Sequence, residues 1–406
     1  MQADRTTNIP AHVPPELVKS FPLHLGATTY ENPFDRIVPE IHEGPPVFYA
    51  PDGWQGLEAA WVFRRAEDLR RIYMDTEHFS SKDFAPFATL VGQDWNVLPV
   101  EADPPRHRLY RTVMNPFFSN NRVVELNDQV RQRARDYIGQ FRNRGQCEFV
   151  GDFAARFPIA VFLELFGLPL EDVDQFLAWE EDLLHNPDVD DKTAAVLAVK
   201  GYIDRVAEAR REHPRGDLIS DIVHAEVDGY RFSDDEIFGL CFNLYLGGLD
   251  TVTTNLSWQF RHLATHPDDQ ARLRAEPALM PDAIEELMRA YAAVTTGRTC
   301  IKPVSVGGVE LEPGDRVMMS TTLGNTDPEA FENPFAVRFD RKPRHLAFGT
   351  GIHACVGARL ARRELHLAME EIFAAIPPFR LAPDAKIRSN LGGVMNIDNL
   401  PLIWDS

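Results

Sequence analysis

The sequence predicts a mainly α-helical protein with small β-sheets, forming a single domain over residues 1–406. Three observations carry that prediction. From 105 to 300 the pattern is helical, with breaks at Pro116, Gly145, Pro158, Gly167-Leu168-Pro169, Pro214 and Pro267. Short alternating stretches on either side of it read as strands. No repeat, low-complexity tract or Gly/Ser linker marks a domain boundary.

In chain order, residues 46–74 read as strand, turn, strand and helix. Asp103-Pro104-Pro105 offers a helix start, with His107 and Arg111 four apart on one face, a spacing that suits a carboxylate or phosphate. Ser233-x-x-Glu236 is a capping box, and no proline follows before Pro267. Such a helix of about 32 residues is a rod about 48 Å long. Gly247-Gly248 sit in its middle, each costing roughly 1 kcal/mol relative to alanine. Thr251, four residues after Gly247, can bond its carbonyl and bend the helix. A Gly pair alone suits a packing notch for a crossing helix; with Asp250 and Thr251 beside it, it also suits a pocket with a proton route. Residues 301–322 read as short strands around Gly307-Gly308 and Pro313-Gly314, and a helix free of Gly and Pro runs from Ala358 to Ile376.

Just before that last helix, HLAFGTGIHACVGARLARRE (345–364) crowds Gly349, Gly351 and Gly357 around Cys355. Glycine admits positive φ and close backbone approach, and a cysteine at a helix head sits where N–H groups favour its thiolate. The stretch reads as built to present sulfur to a large, flat partner. Glu286 and Arg289 share a helix face, Arg338 lies in a loop able to reach Glu286, and Gly297-Arg298 precedes a strand.

A net charge of −19 argues against nucleic-acid binding, although arginines gather at Arg106, Arg108, Arg111 and at Arg359, Arg362, Arg363. The N-terminal stretch has no apolar signal core, and no apolar run is long enough to span a membrane. The four cysteines are scattered without a CxxC, so neither a disulfide framework nor a zinc site is suggested, and a cytoplasmic location is expected.

Taken in order, these motifs resemble the cytochrome P450 family of haem-thiolate monooxygenases from end to end of the chain. Phe348-Gly349-x-Gly351-x-His353-x-Cys355-x-Gly357 is similar to the family's cysteine-ligand loop. Gly247-Gly248-Leu249-Asp250-Thr251 resembles its oxygen-activation stretch, and Glu286-x-x-Arg289 with Arg338 its structural ion-pair triad. The resemblance is nearest to bacterial camphor-hydroxylase-like members, through GGLDTV, LARRE and LPLIWD.

That resemblance implies a triangular fold with a long central helix over haem b (iron protoporphyrin IX). It implies Cys355 as the axial thiolate, Phe348, Gly349 and Gly247 against the haem, and His107, Arg111, Arg298 and His353 at its propionates. Asp250 and Thr251 would deliver protons to dioxygen. Trp95, Asn243, Leu246, Val294, Gly393 and Val394 would line the substrate pocket, with Trp95 standing where the camphor enzyme uses a tyrosine donor. The implied partners are O2 and a 2Fe-2S ferredoxin with its flavin-dependent reductase, and the implied state is a monomer. The expected substrate is a small apolar terpenoid: a camphor-like ketone, a monoterpene ether or an ionone-type norisoprenoid. Alternatives are a hydrogen-peroxide-using peroxygenase, against which the Asp-Thr pair speaks, and a non-enzymic haem-thiolate sensor.

Overall fold

The computed structural model describes residues 9–405 apart from 24–26 and 55–57. The start of the N-terminal stretch and the turn expected between the first two long strands therefore lie outside the described residues. The chain forms two compact units, each made of three separated stretches: Met1–Ser81, Glu285–Ala354 and Arg388–Asn396 in one, Lys82–Ile284, Cys355–Ile387 and Ile397–Ser406 in the other.

The first unit is built on a five-stranded sheet. Val47–Trp54 pairs antiparallel with Glu58–Phe63, Arg316–Ser320 joins it in parallel, and Thr295–Cys300 and Phe79–Ser80 complete the order. These segments are rich in the β-branched and aromatic residues that suit a pleated surface. Helix Ala66–Met74 contributes Leu69, Ile72 and Tyr73 to a core shared with Trp61, Phe63, Val317 and Met319. Burying each such large apolar side chain is worth about 1.5–3 kcal/mol. Strands Val304–Val306 and Val309–Leu311 turn back at Gly307 and Gly308, both at positive φ, as the dipeptide signals.

The Glu286–Arg289 pair is fully buried, with both side chains 0% exposed and two bonds of 2.8 Å between them. Its third member is not Arg338. Arg341 Nε reaches Glu286 Oε1 at 2.9 Å, while Arg338 offers only its backbone N–H, at 3.0 Å. The Arg338 guanidinium turns outward to Asp340 and Glu332, because its backbone lies against Glu286 and leaves the side chain facing away.

The second unit is helical. Asn127–Phe141, Arg156–Leu165, Val173–Leu184, Val189–Glu212 and Ala358–Ala375 are its main elements, with Asp234–Gly248 and Asp250–Thr265 between them in sequence. Aromatic stacking fills the interior: Phe153 lies on Phe157 at 5.2 Å, and Phe149 on Phe260 at 4.4 Å. Pro158 does not break its helix. It sits in the first turn of Arg156–Leu165, where a missing N–H costs nothing, and the irregularity falls upstream in a π-turn over Val150–Ala154. The expected continuous rod is two helices that meet at Leu249.

Candidate active site

The break at Leu249 organises the chemistry of the helical unit. Upstream, the capping box forms as the sequence signals: Glu236 N–H donates to Ser233 Oγ, and Ser233 N–H to Glu236 Oε2. The helix runs to Gly248, and Leu249 takes φ −99° and ψ −76°, which ends its hydrogen-bond ladder. Thr251 Oγ1 donates to the Gly247 carbonyl at 2.8 Å, and Asn255 Nδ2 to the Thr251 carbonyl at 2.8 Å. Side chains thus supply donors that a straight helix would take from its backbone. A Cβ added at Gly247 would meet no atom within 4 Å, so no crossing helix requires that glycine. The packing-notch alternative fails there.

Asp250 opens the second helix and is only 3% exposed. Its Oδ1 lies 3.4 Å from His185 Nε2, and its buried Oδ2 has no hydrogen-bond partner among the described residues. Glu180, also buried, lies near enough that the Asp250 charge helps to hold its carboxyl well above the usual range, with burial the larger cause. Sequence reading missed both His185 and Glu180. They stand more than sixty residues before Asp250 in the chain, with no spacing pattern to link them.

Cys355 lies just before helix Ala358–Ala375 and keeps solvent-accessible surface. Burial is nevertheless the largest influence on its thiol and pushes its pKa up; the N–H groups of Gly357 and Ala358 and the charges of Arg111 and Arg362 oppose it. The sulfur therefore sits deep, open on one side, with donors already aimed at it. Cys147 and Cys241, by contrast, are buried thiols raised by burial. Among the described residues no three His, Cys, Asp or Glu side chains gather to hold a metal. A lone thiolate of this kind suits a metal that arrives with ligands of its own, as haem iron does. The residues present fit that group.

Within the sheet-containing unit, Gly349 and Gly351 have φ of +62° and +74°, and a Cβ on Gly351 would come within 2.8 Å of the Tyr73 carbonyl. Their close approach is thus to Tyr73, a residue the sequence did not single out. His353 Nε2 meets Ser81 Oγ at 3.1 Å. Arg298 is buried, its guanidinium bonded to the Gly297 carbonyl and lying 5.9 Å from the Tyr73 ring. Phe348 rests near His345, ring centroids 6.1 Å apart. The same unit brings Val294, Gly393 and Val394 together: Val294 bridges Val394, and Thr295 N–H donates to the Gly393 carbonyl at 2.8 Å. A Cβ on Gly393 would touch nothing within 4 Å.

In the helical unit, His107 is buried and Arg111 half-buried on helix Arg106–Met114. Trp95 is buried edge-on against Phe238 and Phe242, with Asn243 and Leu246 following on the same helix. Its Nε1–H is not left to face a ligand, since it donates to Gln93 Oε1 at 2.9 Å. A neighbour two residues away captures the donor, so Trp95 offers an apolar edge where a polar handle was expected. Arg106 and Arg108 are already paired, with Glu236 and Asp228. That discounts two of the six arginines of the basic patch.

Comparison with known proteins agrees with this arrangement. The sequence model of the family described as Cytochrome P450 matches residues 172–389. A probable cytochrome P450 127A1 of Sinorhizobium fredii is 36% identical over 98% of both chains. The steroid C26-monooxygenase of Mycolicibacterium smegmatis is 35% identical over 82% of this chain and 83% of its own. Among solved structures, the cytochrome P450 CYP101C1 superposes with a TM-score of 0.87 at 34% identity, covering 98% of this chain and 100% of that one. CYP101J2 gives 0.88 at 30% identity over the same shares.

Proposed function

This chain belongs to the cytochrome P450 family, and from that premise we propose that it hydroxylates a small apolar terpenoid-like molecule, using electrons from a 2Fe-2S ferredoxin served by a flavin-dependent reductase. Its class is that of a haem-thiolate monooxygenase with haem b as cofactor. When bound, that haem supplies the activation of O2 and the insertion of one oxygen atom into a C–H bond.

The chain's own residues supply the rest. Cys355 would hold the haem iron through its sulfur, with the Gly357 and Ala358 N–H groups already donating to that sulfur. His107, Arg111, Arg298 and His353 would hold the haem's carboxylates, and Phe348, Gly349 and Gly247 would pack against it. Thr251 presents a hydroxyl held by the Gly247 carbonyl, and Asp250 beside it holds a carboxylate able to carry a proton. We read the two interleaved units as one domain acting as a monomer.

The single observation that carries the reading is that the helical unit holds both a cysteine with N–H donors on its sulfur, Cys355, and Asp250-Thr251 at a helix break. A peroxygenase or a sensor needs no such proton-delivery pair. The terpenoid class rests on the apolar residues Leu246, Val294 and Val394 and on the trimmed wall at Gly393. With Trp95 engaged by Gln93, Asn243 is the residue left to orient a ketone, ether or alcohol oxygen.

Optical titration of the ferric protein tests it. Bicyclic ketones, monoterpene ethers or ionones are expected to shift the haem toward high spin. If only fatty acids or large polycycles such as steroids do so, the terpenoid reading fails. Electron supply from an acidic ferredoxin is expected to slow as salt rises, and Arg359→Glu, at an exposed position, to slow it further at low salt. Salt-independent reduction would count against an acidic partner.

A further inference from the structure

The surroundings of Asp250 bear on how protons reach the site, an inference that rests on the monooxygenase reading above. We propose that His185 is the positioning residue and proton source of Asp250, at the inner end of a ladder of ionisable groups that starts at Glu181 on the surface.

His185 caps the C-terminus of helix Val173–Leu184, where free carbonyls favour a cation. Glu181 is exposed and one turn earlier, so it shares that face and reaches solvent. From the other side the half-buried imidazole presents Nε2 to Asp250 Oδ1 at 3.4 Å. Asp250 Oδ2 is buried and bonded to none of the described residues, an arrangement that costs stability and is retained where it serves a purpose. The carboxylate is therefore held on one oxygen and left able to exchange a proton on the other, next to Thr251.

Three acidic groups face the imidazole: Asp250 across from it, and Glu181 and Glu180 on its own helix. Burial works against its charge, but the Asp250 hydrogen bond and these carboxyl charges outweigh it and lift His185 to about 9. Glu180 is 7% exposed, and burial together with the Asp250 charge raises its pKa well above the usual carboxyl range. Among the described residues the Glu180 charge also acts on Tyr245, whose hydroxyl donates to the Phe176 carbonyl. At the mouth, Asn186 ties Asp182 to Asp191 through its amide, at 3.0 and 2.9 Å.

The step balances without electrons. The His185 imidazolium gives its Nε2 proton to Asp250 Oδ1, leaving a neutral imidazole and a neutral acid. Asp250 passes a proton on toward the Thr251 side and returns to carboxylate, and the imidazole regains one from water beside Glu181. The His185 pKa is raised, so the charged pair is complete below the ordinary histidine range and is lost as pH rises through about 9.

The test uses haem-loaded protein in two measurements. Histidine-ring NMR of the diamagnetic ferrous carbon-monoxide form is expected to show one resonance, absent in His185→Gln, that titrates near 9. In Asp250→Asn its midpoint should fall by about one unit or more. A midpoint indifferent to Asp250→Asn overturns the pairing. The second measurement is product formed per peroxide released against pH. His185→Arg keeps the cation but cannot give up a proton, so it should lose on the order of 10²-fold in product formation and lose the limb near 9. An Arg variant with wild-type rate and pH profile would mean that His185 only pins Asp250, and the relay is wrong. Should the wild-type protein oxygenate nothing, the monooxygenase reading fails, while the NMR coupling still decides whether the pair exists.

Discussion

Glu364 is a carboxyl 4% exposed on the helix that follows Cys355, and its Oε2 finds no hydrogen-bond partner among the described residues. Burial pushes its pKa from 4.5 to about 8. A raised carboxyl is neutral at low pH and must be charged at cost in the folded state as pH rises. Its contribution is therefore intact below 4.5 and lost progressively up to about 8. The loss is on the order of 3–5 kcal/mol. Glu364→Gln is expected to flatten the fall in Tm across that window and to be the more stable protein at its upper end. Identical Tm–pH curves for the two proteins would show that Glu364 has a compensating partner. Cys355 is the other residue whose neighbours fix its chemistry. Cys355→His should remove the long-wavelength absorption of the reduced carbon-monoxide complex, and Cys147→Ser, Cys241→Ser and Cys300→Ser should keep it. An intact band in the Cys355 variant would reassign the ligand.

Helix Asp234–Gly248 does more than carry residues to the break. The segment bearing Trp95 docks on it at Gly239, where Leu98 N–H donates to the Gly239 carbonyl at 3.2 Å. A Cβ added at Gly239 would lie 2.1 Å from the Asn96 carbonyl oxygen, which is backbone and cannot swing away. One carboxylate holds the segment: Glu101 accepts from the Ala85 and Val97 N–H groups, both at 2.7 Å. Gly239→Ala is expected to destabilise the fold by about 1–3 kcal/mol and to weaken substrate binding by displacing Trp95. Thermal unfolding and the high-spin titration read the two effects separately. Unchanged affinity would mean that the segment moves without disturbing the pocket.

At the scale of the whole molecule, Glu286 with Arg289 and Arg341 commits charge to the interior of the sheet-containing unit. Arg289 also donates to the carbonyls of Asn325, Pro334 and Ala336, so one buried guanidinium gathers several stretches of irregular chain. Irregular backbone cannot satisfy its own carbonyls, and this cation does it for them. Removing one partner leaves a buried charge uncompensated. Glu286→Gln is expected to cost about 3–5 kcal/mol. Arg338→Ala, which removes only an outward-facing guanidinium, should stay within about 0.5 kcal/mol. Equal losses in the two variants would restore Arg338 as the third member.

The sequence by itself determined what local physics decides. The capping box at Ser233, the Thr251 bond to Gly247, the hairpin at Gly307-Gly308 and the helix from Ala358 all depend on residues within a few positions of one another. The thiolate loop was legible for the same reason: its glycines, its cysteine and the helix behind it are contiguous. Only the tertiary structure decided which partner each long-range polar group takes. Arg341 rather than Arg338 closes on Glu286, Gln93 captures the Trp95 donor, and His185 and Glu180 surround Asp250. These outcomes turn on which side chain a neighbouring segment leaves pointing inward. A buried charge then binds the nearest complementary group the packing delivers, and chain spacing carries no record of that choice.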